Sequence, residues 1–268
     1  MKSYLDSLFK KYKSDKHNHK YSFVYENFLK NLKNKKLKIL EIGVADGSSI
    51  RAWSHFFKKS LIVGVDIKEI DLKKNKLNEK NIKIHCGSQT DESFINFIIN
   101  KYKKFDIIID DGSHFPKDVI KTFQLLFNAL NKNGFYFVED TQTSYNHYFK
   151  GNAFDLKYSN THMNYFKNLC DSLNYQEIAN PFYIKRKYDG LITNISFFHN
   201  MIVIKKGLNN TISNLVLKNS YENKRYKSRI KIKKNIFRYY FKYMVLFKLY
   251  TLLLFLINLI KKTILFRY

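Results

Sequence analysis

Hydrophobic and polar positions follow a repeating order between residues 37 and 140. Short apolar runs such as LKILEIGV and LIVGVDI are bounded by turn residues, and each is followed by a stretch with helical spacing. This repetition is typical of βαβ units, whose parallel strands are buried on both faces. The pattern predicts five parallel strands, at residues 38–42, 61–66, 82–85, 105–110 and 134–139.

Two further strands are predicted after this repeat. GLITNISFFHNMIVIKKG contains two strand-like runs around His199-Asn200, which we expect to form an antiparallel hairpin at one sheet edge. The helix before the fifth strand is expected to begin at Pro116 and to end at Asn133-Gly134, because proline suits the first turn of a helix and glycine its end. The predicted fold class is a doubly wound α/β fold with a seven-stranded, mostly parallel, Rossmann-like sheet.

The remaining segments have a different character. Residues 1–35 predict two short helices joined through SDKHNHKYSF. A polar, aromatic insertion follows residue 140 and extends to about residue 190, with a helix predicted near 160–174.

Composition narrows the class of protein. With 268 residues, of which 45% are hydrophobic, the chain is long enough to bury a substantial core. Cys86 and Cys170 lie far apart, which disfavours a disulfide framework or a zinc site. The first fifteen residues lack the continuous apolar run of a secretory signal, so we expect a reducing, cytoplasmic location.

The net charge of +26 is concentrated towards the end of the chain. Residues 205–268 hold 16 Lys and Arg and one acid, Glu222. The other lysines are scattered along the chain, and a general Lys-rich composition of the source explains them as well as binding to a partner does. The apolar run 244–260 is short for a membrane span, and its basic, Tyr-rich flanks suit a segment in the interface of an anionic leaflet. Residues 224–268 are therefore expected to contact a membrane surface, peripherally and on the cytoplasmic side. The alternative is that they pack on the body of the protein or on a partner subunit. A homo-oligomer is also possible on this sequence.

The first candidate site is the loop ILEIGVADGSS, residues 39–49. Glu41 precedes Gly43 by two residues, and the loop turns through Gly47 and Ser48 into a helix whose N–H groups face a ligand. Its G-x-x-x-G spacing differs from the G-x-G-x-x-G of dinucleotide binders and favours S-adenosylmethionine over a plain turn.

Polar groups after the second and third strands extend this site. Asp66 ends the second strand, where a carboxylate can accept hydrogen bonds from both ribose hydroxyls of an adenosyl group. Ser88 and Gln89 follow the third strand and are placed either to reach the adenine or to cap the next helix, whereas Asp91 is expected to cap that helix.

Four acids end the fourth and fifth strands, which are neighbours in a sheet of order 3-2-1-4-5. They are Asp110 and Asp111, and Glu139 and Asp140. Clustered carboxylates repel one another and persist most easily around a divalent cation, and oxygen ligands favour Mg²⁺. The alternative is that they cap helices or pair with lysines.

His114 lies three residues after Asp111, on the turn that leads to Pro116. A histidine, whose ordinary pKa is about 6.5, can remove a proton from a hydroxyl held beside a metal. A lone histidine is more often structural, but its position beside the acids favours a catalytic role.

These motifs resemble a known family. SDKHNHKYSFVYENF, ILEIGVADGSSIRAW, GVDI, CGSQTD, DIIIDDGSHFP and FVEDTQTSY are similar to class I S-adenosylmethionine-dependent methyltransferases of the mycinamicin and macrocin sugar O-methyltransferase type. The resemblance covers residues 10–206. The loop departs from the family in carrying Ala45-Asp46 where relatives have more glycines, and the tail after residue 206 has no counterpart.

The resemblance implies roles for individual residues. Mg²⁺ would be bound by Asp111, Glu139 and Asp140, with His114 as general base. The cofactor would lie near the residues Glu41, Gly43, Gly47, Ser48, Asp66, Ser88, Gln89 and Asp110. A lid and substrate surface would include the residues His19, Tyr21, Thr143 and Tyr145.

Three domains and one activity follow from these expectations. Residues 1–35 would form a helical lid, 36–206 the S-adenosylmethionine-binding methyltransferase domain, and 207–268 a basic, apolar helical tail. We expect methyl transfer to a sugar hydroxyl of a nucleotide-linked or lipid-linked glycan, as in surface polysaccharide or secondary-metabolite synthesis. The alternatives are an RNA methyltransferase that uses the basic tail, an NAD-type oxidoreductase and a non-catalytic membrane adaptor. The sequence contains no recognised RNA-binding module, so we do not expect nucleic acid as a partner.

Overall fold

The computed structural model describes residues 3–178, 180, 182–210 and 243–253. Its strands are β1 (Lys38–Ile42), β2 (Leu61–Asp66), β3 (Ile82–Cys86), β4 (Phe105–Asp110), β5 (Leu130–Glu139), β6 (Ile192–Phe198) and β7 (Met201–Lys206). They form one sheet in the order β3-β2-β1-β4-β5-β7-β6. The first five strands pair in parallel, and β7 is antiparallel to both β5 and β6. The predicted doubly wound, seven-stranded sheet and its closing hairpin are confirmed.

Helices cover both faces of the sheet. They are α1 (Tyr4–Tyr12), α2 (Tyr21–Leu29), α3 (Ser48–Phe56), α4 (Glu92–Tyr102), α5 (Pro116–Leu126), α6 (His162–Asn168) and α7 (Cys170–Leu173). Successive strand residues point to opposite faces, so Ile39 packs in the core beneath α1, α2 and α3, and Leu40 packs beneath α4, α5 and α6. Two buried faces explain the nearly continuous apolar runs of these strands.

The two predicted N-terminal helices are confirmed. The Ser3 hydroxyl caps α1 by accepting from the N–H of Asp6 at 2.9 Å. The rings of Phe9 in α1 and Tyr25 in α2 lie 5.1 Å and 4.8 Å from that of Trp53 in α3. Both helices belong to one compact unit, made of Met1–Tyr175 and Lys185–Asn210. A lid role for residues 1–35 stays a prediction.

The predicted end of the helix that begins at Pro116 was wrong. That helix, α5, ends at Leu126, and β5 begins four residues later, so Asn133-Gly134 lies inside the strand. Asn133 has a φ of 66°, and the pairing of β4 with β5 shifts register in this region. Asn-Gly pairs adopt left-handed backbone conformations easily, and such conformations occur both at the ends of helices and in strand bulges. Here the pair forms an irregularity in the strand. The predicted helix near 160–174 is present as α6 and α7.

A second unit consists of Gln176–Ile184 and Thr211–Tyr268. Most of the predicted tail, residues 211–242 and 254–268, lies outside the described residues. Residues 243–253 are helical, and their apolar side chains are exposed. Within the part of the chain that the structure describes, no helix has both the length and the apolar character needed to cross a membrane.

Candidate functional site

The ends of three neighbouring strands bring three acidic side chains together around one lysine. Glu41 lies in β1, Asp111 directly follows β4, and Glu139 ends β5. The Lys16 ammonium hydrogen-bonds to Asp111 Oδ2, donates to Glu139 Oε1 at 2.7 Å and lies 3.3 Å from Glu41 Oε1. The exposed fraction is 1% for Lys16, 0% for Glu41 and 2% for Glu139. A cation is therefore buried among three carboxylates.

The charges of this cluster depend on one another. Burial alone would lower the pKa of Lys16, but the carboxylates prevail and hold that pKa well above its ordinary value. Burial and the charge of Asp111 raise the pKa of Glu139 well above its ordinary value, against the opposing effect of Lys16. Lys16 thus stays charged, and the acids need it because a buried carboxylate without a counter-charge is costly.

Buried tyrosines extend the network on both sides. The Tyr25 hydroxyl donates to Glu139 Oε1, the oxygen that Lys16 also contacts. The Tyr136 hydroxyl donates to Asp110 Oδ2 at 3.3 Å, and the Gln89 amide lies 3.3 Å from the other oxygen of Asp110. Burial raises the pKa of Asp110 to about 7 in spite of these hydrogen bonds.

His114 belongs to a second cluster, which shares Asp111 with the first. Its Nε2 lies 3.6 Å from Asp140 Oδ2 and 3.9 Å from Asp111 Oδ1. The Tyr21 hydroxyl donates to the other Asp140 oxygen, Oδ1, at 2.6 Å, and His19 Nδ1 lies 3.6 Å from that same oxygen. Burial would raise the pKa of Asp140, but these neighbours lower it overall, so its carboxylate stays ionised.

The backbone holds this second cluster in an uncommon conformation. His114 and Asp140 have φ values of 59° and 53°, in the left-handed region that residues other than glycine seldom adopt. The Thr143 hydroxyl contacts both of their carbonyl oxygens, at 3.1 Å from His114 O and 2.7 Å from Asp140 O. Thr143 therefore joins the turn after β4 to the turn after β5, and backbone strain of this kind often marks functional sites.

The two clusters offer ligand atoms for a metal ion. One atom each from Asp111, His114 and Asp140 lie within 4.8 Å of one another, and so do atoms from Glu41, Asp111 and Glu139. Carboxylate oxygens suit Mg²⁺. The predicted ligands Asp111, Glu139 and Asp140 are thus adjacent but divided between two clusters, because Lys16 lies against Asp111 and Glu139. This ligand set stays a prediction.

The predicted cofactor loop lies directly against the acidic centre. Gly43 has a φ of 90°, and a Cβ there would lie 2.0 Å from the backbone oxygen of Asp111. Gly47, with a φ of 77°, precedes Ser48 at the start of α3. The Asp66 carboxylate accepts from the N–H groups of Val44 and Ala45, each at 2.9 Å, and so fixes the loop. The close approach of Gly43 explains why this position requires glycine.

Two other predicted cofactor residues, Glu41 and Gln89, are buried and contact protein groups. Glu41 is fully buried, and its oxygens accept from Ser49 at 2.9 Å and from Trp53 at 3.3 Å, so its carboxylate faces protein groups in addition to Lys16. The side-chain oxygen of Gln89 accepts from the N–H of Ser113 at 2.8 Å, which ties the third strand end to the turn before His114.

The polar run after β3 also contains the predicted helix cap. Asp91 caps α4 as predicted, accepting from the N–H groups of Ser93 and Phe94. Ser88 lies 3.1 Å from the hydroxyl of Thr90. On the predicted substrate side, Tyr145 is 40% exposed, whereas Thr143 is buried.

Sequence reasoning missed Lys16, the cation at the centre. It lies in SDKHNHK between α1 and α2, among 48 Lys and Arg, and no local pattern marks it as buried. Its only signal is proximity to His19 and Tyr21, which the resemblance already placed near the site. Tyr25 and Tyr136 were missed because tyrosines in amphipathic patterns are usually core residues.

Comparison with known proteins agrees with this geometry. Residues 11–177 match the model of the FtsJ-like methyltransferase family. Demethylmacrocin O-methyltransferase from Streptomyces fradiae is 34% identical over 197 residues, covering 69% of this chain and 48% of the relative. Mycinamicin VI 2''-O-methyltransferase from Micromonospora griseorubida is 33% identical over 197 residues, covering 69% of this chain and 47% of the relative.

Solved structures give the same picture. MycE methyltransferase from the mycinamycin biosynthetic pathway, in complex with Mg and SAH, has a TM-score of 0.73 and 31% identity, covering 78% of this chain and 56% of that one. This chain spans about half the length of the curated relatives that it matches. The resemblance inferred from the sequence motifs is confirmed.

Replacing the central cation tests the electrostatics of the site. Lys16→Met keeps the length of the side chain but leaves three buried carboxylates without their counter-charge. At neutral pH we expect the free energy of unfolding, measured by urea denaturation, to fall by about 3–5 kcal/mol. The loss should shrink as the pH falls, because carboxylates with raised pKa values take up protons and no longer need the lysine.

The matched control is Lys117→Met, which removes an exposed lysine from α5. If Lys16→Met is as stable as this control at neutral pH, the buried ammonium does not stabilise the acids as described. If it does not fold at neutral pH, recovery of the native circular dichroism spectrum near pH 5 supports the electrostatic cause, and failure to recover contradicts it.

Proposed function

Because the chain belongs to the FtsJ-like methyltransferase family, we propose that it transfers a methyl group from S-adenosylmethionine to a sugar hydroxyl, assisted by Mg²⁺. The observation that carries this proposal is the His114 cluster with Asp111 and Asp140, at the strand ends where doubly wound folds bind ligands. The names of the relatives describe sugar O-methyltransferases, and the MycE structure holds Mg and SAH. The family does not support the NAD-type oxidoreductase alternative.

The cofactor would lie over the loop after β1, against the ends of β2 and β4. Gly43 leaves room for close approach, and Gly47 directly precedes α3, whose N-terminus would face the ligand. Asp66, half-buried at the end of β2, would accept from the ribose hydroxyls. Ser88, Gln89 and Asp110 would line the adenine side.

The metal would be held by Asp111, Glu139 and Asp140, which offer the carboxylate oxygens that Mg²⁺ prefers. Bound there, Mg²⁺ would orient the acceptor oxygens and lower the pKa of the reacting hydroxyl. His114 would accept the proton at Nε2, the nitrogen that faces Asp140 and Asp111. Asp140 then stabilises the imidazolium, and Tyr21 and Thr143 hold Asp140 in position.

The acceptor sugar would lie against the insertion after β5. The Phe149 ring is 6.3 Å from that of His114 and 5.1 Å from that of Tyr148. Tyr145, Tyr148 and Phe154 are exposed. Aromatic rings provide flat apolar surfaces that suit a sugar ring, and Phe149, with Tyr148 packed on it, places such a surface beside His114. The proposed acceptor class is a sugar on a nucleotide, lipid or secondary-metabolite carrier, as in polysaccharide or secondary-metabolite synthesis.

Turnover of a His114 variant tests the proposed base. His114→Ala should lower methyl transfer from S-adenosylmethionine to a panel of free and nucleotide-linked sugars by at least about 100-fold, because a general base is lost. Binding of S-adenosylhomocysteine, measured by calorimetry, should stay within twofold of wild type, roughly the scatter of the method. A chelator of divalent cations should also stop turnover.

His199→Ala, in the exposed turn between β6 and β7, is the matched control and should keep full turnover. Turnover that survives in His114→Ala would remove His114 from its role. Full turnover in the presence of the chelator would contradict a metal role for Asp111, Glu139 and Asp140.

We also propose that the tail contacts an anionic membrane surface, on the cytoplasmic side. Residues 243–253 form a helix with exposed apolar side chains all around it, among them Phe247, Leu249 and Leu252. Residues 205–268 carry 16 basic residues and one acid, so charge complementarity favours an anionic lipid surface. An RNA partner would use the same charge but not the apolar side chains.

Vesicle co-sedimentation of the full chain tests this surface. We expect binding to vesicles of phosphatidylcholine with phosphatidylglycerol, and weaker binding to phosphatidylcholine alone. Joint substitution of Phe247, Leu249 and Leu252 by Asn should remove most of this binding. Equal substitutions at Phe23, Ile67 and Phe97, exposed in the first unit, should not. Equal loss in both variants, or no vesicle binding by wild type, would contradict the proposal.

A further inference from the structure

A cleft lies between the end of α1, the start of α3 and the connector after β2. Its volume is about 340 Å³. Its walls carry the side chains of Lys11, Tyr12, Lys13, Asp46, Arg51, Lys74, Asn75 and Lys76. All of these residues belong to the first unit.

The charge of the cleft is unbalanced. Five lining residues are cations, and one, Asp46, is an acid. The Asp46 carboxylate is already used at the start of α3, where it accepts from the Ser48 N–H at 3.0 Å and from its hydroxyl at 2.7 Å. Across the described residues, the ion pairs involve none of the five cations. Five cations beside a single acid that already accepts two hydrogen bonds favour an anionic ligand.

Arg51 distinguishes the cleft from a chance group of surface lysines. Its guanidinium lies 5.0 Å from the centre of the Tyr12 ring, and the Tyr12 hydroxyl is 3.2 Å from His55 Nε2. The Nε of Arg51 is buried and has no hydrogen-bond partner within the described structure. Stacking on a ring fixes the plane of a guanidinium, and a guanidinium fixed at the wall of a cleft suits the oxygens of a phosphate group.

Two short segments connect the cleft to the acidic centre. Lys13 is three residues before Lys16, whose ammonium contacts Asp111 and Glu139. Asp46 is three residues after Gly43, which packs on the backbone of Asp111. Three residues of extended chain span about 10 Å, so the cleft begins close to the centre.

We propose that this cleft binds the diphosphate group of a phosphorylated sugar acceptor. Several cations match a diphosphate, which carries more than one negative charge, better than they match a single carboxylate. With its diphosphate in the cleft, the sugar of such an acceptor would extend towards the acidic centre, to which the two short segments connect the cleft. This inference rests on the proposed function, because it names the carrier of the acceptor sugar.

Calorimetric titration of the metal-free full chain at low salt tests the cleft. The probes are inorganic pyrophosphate, which has phosphate groups alone, and UDP-glucose, which adds a nucleoside and a sugar. We expect both to bind and to compete with one another. The joint variant Lys11→Gln, Lys74→Gln and Lys76→Gln changes only exposed lysines and should weaken both about tenfold or more, the effect of at least one charge-assisted hydrogen bond. Arg51→Gln should do the same.

The control is Lys58→Gln with Lys59→Gln and Lys117→Gln, which removes three exposed positive charges elsewhere. This control should bind both probes as wild type does. Equal weakening in both triple variants would show a general charge effect and overturn the proposal. So would weaker S-adenosylhomocysteine binding in the cleft variant, because the cleft would then belong to the cofactor site.

Two measurements on the wild-type protein distinguish an error about the cleft from an error about the proposed function. If wild type binds S-adenosylhomocysteine and methylates a free sugar but binds neither diphosphate probe, the cleft proposal is wrong and the function stands. If wild type does not bind S-adenosylhomocysteine, the proposed function itself is wrong.

Discussion

The Lys16 ammonium lies among the carboxylates of Glu41, Asp111 and Glu139 and supplies the positive charge at this sheet edge. Parallel strands β1, β4 and β5 end side by side, so acids at these ends are forced into a small buried space. Without a cation their mutual repulsion and desolvation would be large. Lys16 supplies that cation from the joint between α1 and α2. The N-terminal helices are thereby tied to the sheet edge by charge as well as by apolar packing.

Asp111 links the cluster around Lys16 to the cluster around His114. Lys16 contacts one oxygen of Asp111, and His114 faces the other. Tyr21 and His19 approach Asp140 from the same N-terminal segment, so this segment contributes to both clusters. The shared residue Asp111 therefore connects a buried structural cluster to a reactive one. The backbone at His114 and Asp140 is left-handed, and the Thr143 hydroxyl contacts the carbonyl oxygens of both residues.

The sequence predicted most of the sheet because apolar periodicity and turn residues agree along residues 37–140. It also predicted which acids follow the strands, because strand ends are visible as changes from apolar to polar residues. The Asn133-Gly134 signal was misread, since the same pair suits a helix end and a strand irregularity. Lys16 could not be predicted, because its burial results from the packing of α1 and α2 on the sheet and not from its neighbours in the chain.

The most direct test of the acidic centre is a crystal structure of the full chain with Mn²⁺ and S-adenosylhomocysteine, with the metal located by its anomalous scattering. We expect one strong peak about 2.1 Å from oxygens of Asp111, Glu139 and Asp140, with the Lys16 ammonium still among the buried acids. A metal bound elsewhere, or an acidic centre without metal while Lys16 retains every contact, would contradict this expectation.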